Sequence, residues 1–153
     1  MANAQHPLSV LLVEPDKAFR AALAAVVAPA HVEAYGQFAE ARARQAESPF
    51  DLLVANIRLG PYNGLHLVYE ARLSGVTTRS IVYDEGFNVG LAREALIACA
   101  FYELRERLPI VLPAYLTARL PVADRRDPRF GDRRRLARGG RRRWDQYVGT
   151  SPA

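Results

Sequence analysis

Cysteine is almost missing from this sequence: Cys99 is the only one in 153 residues. A lone thiol excludes an internal disulfide framework and fits a reducing compartment, so a cytoplasmic protein is expected. Cys99 closes a helical pattern between Ala98 and Ala100, where a buried, inert thiol is expected rather than a nucleophile. No apolar run approaches the length that crosses a bilayer, so no membrane span is expected. The opening MANAQHPLSV lacks a basic region followed by a long apolar stretch and a cleavage site, and no signal peptide is read there. No internal repeat is visible. Net charge is scarce over most of the chain. Met1 to Leu120 holds 11 Lys+Arg and 12 Asp+Glu, a net −1. Pro121 to Ala153 holds 10 Arg and 4 Asp, a net +6, so the basic excess of the chain lies in its last 33 residues.

What is present divides accordingly. Half of all residues are apolar, enough for the core of one domain, here residues 8–120. The remainder, 121–153, is rich in arginine and glycine. Its apolar residues are mainly Phe130, Leu136, Trp144 and Tyr147. Such a segment buries too little apolar surface to offset its ordering entropy, and a flexible tail is expected, with at most a short helix near Asp132 to Arg138. Arg133, Arg134, Arg135, Arg141, Arg142 and Arg143, with Trp144 and Tyr147 beside them, have the chemistry to grip phosphates and stack bases. The same residues suit an acidic protein or an anionic lipid surface, or serve only as a solubilising linker. A tail of 33 residues with this composition cannot build a helix-turn-helix domain.

Within 8–120, apolar runs of strand length alternate with helical patterns. Leu8 to Val13 is followed by Glu14-Pro15-Asp16 and a helix in which Phe19, Ala22, Leu23, Val26 and Val27 recur at helical spacing, Asp16 being its N-cap or first-turn acid. His31 to Tyr35 is a short strand, and Phe38 to Glu47 a helix ending before Ser48-Pro49. Leu52 to Ala55 follows Asp51 as an apolar run with no polar alternation, which suits a strand buried on both faces of a parallel sheet. That strand ends on Asn56. Gly60-Pro61 and Asn63-Gly64 then mark a turn-rich loop. A helix with Leu65, Val68, Tyr69 and Leu73 follows, closed by Gly75 as C′ residue. Thr78 to Tyr83 is a fourth strand, followed by Asp84-Glu85-Gly86. Val89 to Ala98 is a helix with Leu91, Ala95 and Leu96 inward, and Phe101 to Leu104 a fifth strand. A last helix opens near Pro113, anchored by Tyr115, Leu116 and Leu120, and ends at Pro121. Five strands alternating with five helices predict a parallel α/β sheet covered on both faces. Chemistry in such sheets sits at the carboxyl ends of the strands, where Asn56 lies.

The run Asn56-Ile57-Arg58-Leu59-Gly60-Pro61-Tyr62-Asn63-Gly64-Leu65 closely resembles the centre of response-regulator receiver domains, with Asp51, Leu59, Gly64 and Leu67 at the family's positions. The resemblance implies a flavodoxin-like (βα)5 fold. It also implies a phosphorylation pocket, and here the sequence departs from the family. Asn56 stands where receivers carry the phosphoacceptor aspartate. The acidic cluster that helps hold Mg²⁺ reads Glu14-Pro15-Asp16, with proline in the middle, and proline offers that hard cation no oxygen from its side chain. Asp84, with Tyr83 as the alternative, falls where the family keeps Thr or Ser. The family's lysine has no counterpart. Register puts Glu106 there, and a shift of one residue puts Arg105 or Arg107.

The resemblance therefore implies a degenerate receiver, or pseudo-receiver: a non-enzymatic interaction module of bacterial-type phosphorelay or two-component signalling, with no cofactor and its Mg²⁺ site lost. Its expected partner is a signalling protein such as a histidine kinase or another receiver. Two other functions stay open: a receiver phosphorylated at a substitute residue, and a nucleic-acid-binding regulator working through the tail. Glu14, Asp16 and Asp84 are read as solvated acids rather than a residual metal site. His66 is read as a solvated residue of the first helical turn rather than a phosphohistidine.

Overall fold

A computed structural model describes residues 7–75 and 78–117. The predicted tail 121–153, its six candidate contact arginines, Leu120 and His6 lie outside the described residues. The chain order is β1 (Ser9–Val13), α1 (Lys17–Val26), β2 (His31–Tyr35), α2 (Phe38–Glu47), β3 (Leu52–Asn56), β4 (Arg58–Leu59), β5 (Tyr62–Asn63), α3 (Leu65–Leu73), β6 (Arg79–Asp84), α4 (Val89–Ile97), β7 (Phe101–Leu104) and α5 (Leu108–Thr117).

Five strands form one parallel sheet in the order β2-β1-β3-β6-β7. This is the flavodoxin-like order, with its switch point between β1 and β3. Every residue of β3 is buried, as its unbroken apolar run requires of a central parallel strand. Alternation along the strands feeds two cores. Val10, Leu12, Leu52, Val54, Ile81 and Tyr83 face Leu23 and Val27 of the α1 segment and Leu108 and Leu112 of α5. Leu11, Val13, Leu53, Ala55 and Val82 face Phe38 and Ala41 of α2, Leu65, Leu67 and Val68 of α3, and Ala95 of α4. Burying one such leucine or valine contributes about 1.5–3 kcal/mol, so these two layers hold the helices to the sheet.

The helices differ from expectation in three places. Leu73, a member of the helical pattern, is 86% exposed, and Leu96, read as inward, is 56% exposed, while Leu67 is buried. Helical spacing marks a stripe without saying which edge of it meets the sheet. Pro113 lies inside α5, not in its first turn, and Leu108 and Leu112 are the fully buried anchors. The turn-rich loop after β3 holds a small antiparallel hairpin, Arg58 against Asn63 and Leu59 against Tyr62. Gly60, at φ 64, supplies the positive dihedral that its two-residue turn demands.

Asp16 is the N-cap of α1, accepting from the backbone N–H of Ala18 and Phe19. Gly75, at φ 76, closes α3 as read from the sequence. Cys99 holds the equivalent place after α4, at φ 59, and is partly exposed rather than buried. A side chain in that left-handed region carries a cost of roughly 1–2 kcal/mol that glycine avoids. Cys99→Gly is therefore expected to stabilise the domain by about 1 kcal/mol, read as a rise in the urea midpoint at unchanged m-value.

Candidate functional site

The carboxyl ends of β1, β3 and β6 meet at the switch point, and each brings one side chain to it. Glu14 follows β1 directly. Its backbone N–H continues the pairing with β2 by donating to the carbonyl of Tyr35 at 3.0 Å. Alternation from Val10 and Leu12 turns its side chain to the α1–α5 side of the sheet, where it is 1% exposed. Asn56 ends β3 on the same side and is buried. Tyr83 is the residue opposite Asn56 in the β3–β6 register and is fully buried.

These three are bonded to one another. One Glu14 carboxylate oxygen, Oε2, accepts the Tyr83 hydroxyl at 2.5 Å and the Asn56 Nδ2 at 3.0 Å. The other, Oε1, accepts the backbone N–H of Asp16 at 2.7 Å. Asn56 Oδ1 accepts the backbone N–H of Arg58 at 2.8 Å, so the amide faces the loop with its oxygen and Glu14 with its nitrogen. The Tyr83 ring meets Phe19 edge-on, with centroids 6.1 Å apart. Burial first, then the adjacent Glu14, pushes the Tyr83 phenol far above its ordinary range, so it stays a protonated donor.

Asp84 does not join this cluster. It is the next residue on β6 after Tyr83, and alternation turns it to the other face of the sheet, continuing Val82. It is 1% exposed and accepts from Arg58 Nε at 2.8 Å, Arg58 Nη2 at 3.2 Å and the Glu85 N–H at 2.8 Å. That hydrogen bond and the carboxylate charge raise the Arg58 pKa above its ordinary value. Glu14 and Asp84 are thus buried, bonded acids, contrary to their reading as solvated; Asp16 alone of the three is exposed. Among the described residues no group of three or more His, Cys, Asp or Glu side chains is placed to hold a metal ion.

Pro15 is exposed, and its carbonyl accepts from Arg20 Nη1 at 3.3 Å. Glu106, placed by register at the lysine position, is exposed in the turn between β7 and α5. The cation that reaches the mouth of the site is Arg105. Its guanidinium bonds Glu85, bonds Asp16 Oδ2 at 2.8 Å and lies 4.2 Å from the centroid of the Phe19 ring. Glu85 first, then Asp16, raises the Arg105 pKa, so its charge is permanent. His66 is exposed in the first turn of α3, its ring edge-on to Phe38 at 6.2 Å.

The Asp16 carboxyl lies below its ordinary 3.8, chiefly through the Phe19 N–H and then through Arg105. A depressed folded pKa stabilises above the unfolded value, and that contribution is lost as pH falls through the folded one. Asp16→Asn keeps an acceptor for the cap but no titrating group. It is expected to shrink the loss of Tm between neutral pH and about pH 2, measured by circular dichroism.

No protein-family model matches the sequence, and no curated protein matches it. Solved structures do. Chemotaxis protein CheY4 of Vibrio cholerae aligns over 72% of this chain and 97% of its own, at TM-score 0.66 and 18% identity. A CheY-like response regulator receiver domain protein from Methanospirillum hungatei aligns over 72% and 94%, at TM-score 0.63 and 19% identity. The BeF3-activated receiver domain of DrrB, a Thermotoga maritima protein, aligns over 72% and 95%, at TM-score 0.65 and 16% identity. The fold is that of response-regulator receiver domains. Asn56, which the sequence resemblance matches to the receivers' acceptor, stands opposite Tyr83 at the end of the central strand. Tyr83 was the alternative to Asp84 in the sequence. Strand alternation decides between adjacent residues, and counting along the chain does not.

In receivers this corner is where Mg²⁺ is expected, and the residues present do not fit it. Among the described residues Glu14 is the carboxylate that bonds Asn56 and Tyr83, and both its oxygens already accept hydrogen bonds. Asn56 presents an N–H donor towards it, not an oxygen ligand.

Proposed function

We propose that this chain is a pseudo-receiver, a protein-interaction module of two-component signalling that takes no phosphoryl group at position 56 and performs no catalysis. The observation that carries this reading is the Asn56 amide. Its nitrogen donates to Glu14 and its oxygen accepts from the Arg58 N–H, so both ends of the group in the acceptor's place are engaged and neither is a carboxylate nucleophile. The receiver fold of the solved neighbours supports the signalling context.

Apolar side chains exposed on adjoining elements supply the contact surface: Leu96 and Ile97 on α4, Phe101 on β7 and Ile110 on α5, the last 80% exposed. The Tyr115 ring is 4.9 Å from that of Phe101, and Tyr102 meets Phe87 edge-on at 5.8 Å. The partner is a histidine kinase or another receiver. Ile110→Asp is expected to change stability by less than about 0.5 kcal/mol, because the side chain is already in water, while removing that binding.

The test is intact-mass spectrometry of the wild type after incubation with Mg²⁺ and acetyl phosphate, and separately with a histidine kinase and ATP. No phosphate adduct is expected in either. An adduct labile to hydroxylamine, as an acyl phosphate is, would make the chain an active receiver with a substitute acceptor.

A further inference from the structure

The Glu14 carboxylate ties together three strand ends, and what it binds is set by its neighbours. It follows β1, and it holds Asn56 at the end of β3 and Tyr83 near the end of β6. Two hydrogens point at one oxygen, one from a hydroxyl and one from an amide. The space in front of that oxygen is therefore lined by donors, the reverse of what a hard cation needs. Neither donor can turn away without loss. The Asn56 oxygen is committed to the Arg58 N–H, and the Tyr83 ring is enclosed, with Phe19 against it.

We propose that the Tyr83 hydroxyl, with the Asn56 amide, substitutes for a divalent cation as the link between the carboxyl ends of the three central strands. The domain is latched from within, in a state that neither metal nor phosphodonor adjusts. Tyr83 is a positioning residue here. Its hydroxyl binds Glu14 and so excludes any cation that Glu14 could otherwise help to hold. A change at position 56 alone leaves that hydroxyl in place. The cation site reappears when the hydroxyl is removed and a carboxylate stands at 56, since two carboxylates then share the corner with no hydroxyl between them.

The experiment uses the full chain with Mg²⁺ and Mn²⁺ themselves as probes. Free Mn²⁺ is counted by electron paramagnetic resonance, and Tm is read with chelator and with millimolar Mg²⁺. The wild type and Asn56→Asp are expected to show the same Tm with and without Mg²⁺. Asn56→Asp combined with Tyr83→Phe is expected to bind Mn²⁺ about tenfold more tightly than Asn56→Asp alone, the effect of removing one competing hydrogen bond. Its Tm should rise with Mg²⁺, as ligand linkage requires. Equal Mn²⁺ affinity in the single and double variants overturns the proposal, and so does a Mg²⁺-dependent Tm in the wild type. Should the double variant fail to fold, Tyr83→Phe alone decides. It keeps the ring and removes the latch, so its Tm must fall below that of the wild type in chelator, and an unchanged Tm overturns the proposal. The inference shares its pocket with the proposed function but not its test. Cation binding by a wild type that takes no phosphate removes the latch and leaves the pseudo-receiver reading standing.

Discussion

Gly64→Ala is expected to destabilise the domain by about 3 kcal/mol and to lower its Tm by roughly 10 °C. A methyl group at position 64 would stand 2.3 Å from the carbonyl oxygen of Asn56, 3.1 Å from its carbonyl carbon and 3.3 Å from the Cβ of Ala55. The nearest of these atoms is backbone in a central strand, which cannot swing aside as a flexible side chain would. The glycine also donates its N–H to the Ile57 carbonyl at 3.0 Å, so moving it away from Asn56 pulls on the hairpin as well. The close approach brings the start of α3 against the end of β3 and fixes the loop that carries Arg58. Since a domain has only about 5–15 kcal/mol of net stability, one methyl group removes a large share of it. Thermal and urea melts of Gly64→Ala measure this. A melting point equal to the wild type would mean that strand and helix are further apart than described.

Asn56→Asp is expected not to create a phosphorylatable receiver. The substitution supplies a nucleophile and nothing else that phosphoryl transfer needs. Glu14 would keep the Tyr83 hydroxyl and the Asp16 N–H as partners. Pro15 would still bring no acid to help place a metal ion that neutralises developing charge. The Tyr83 ring would still fill the position opposite residue 56. Arg105 would remain held by Glu85 and Asp16. The variant that should recover uptake differs from the one that sequence register suggests. It changes Tyr83, not Asp84, to threonine, together with Asn56→Asp, Pro15→Asp and Arg105→Lys. Asp84→Thr in the same background should fail. It leaves Tyr83 in place and removes a carboxylate that binds Arg58 on the other face of the sheet.

The buried strands were legible because a central parallel strand is apolar on both faces, and Leu52 to Ala55 says so without any partner in view. The caps were legible for the same local reason: Asp16 and Gly75 act within a few residues of themselves. The hairpin at Arg58 and Tyr62 was not, because strands of two residues have no periodicity to show. The inward residues of α3 and α4 were half legible. Leu67 and Leu73 fit the helical stripe about equally well, and only the sheet beneath chooses Leu67. At the site, Asn56 and Glu14 were found by motif. The pocket's third member was ranked second because chain register places a residue to within one, and in a strand one residue is the opposite face. Glu106 and Arg105 sit side by side in one turn, and Glu106 is the exposed one. The longer, partly buried arginine reaches the mouth through contacts with Phe19, Asp16 and Glu85 that lie far from it in sequence.

Intact-mass spectrometry of Asn56→Asp after incubation with Mg²⁺ and acetyl phosphate probes the central point, that the pocket is closed by its own side chains and not merely short of one carboxylate. The expected result is an unmodified mass for the single variant and a hydroxylamine-labile adduct of one phosphate when Tyr83→Thr, Pro15→Asp and Arg105→Lys are added. A full adduct on Asn56→Asp alone would contradict it, leaving the rest of the pocket competent and the departure from receivers confined to one residue.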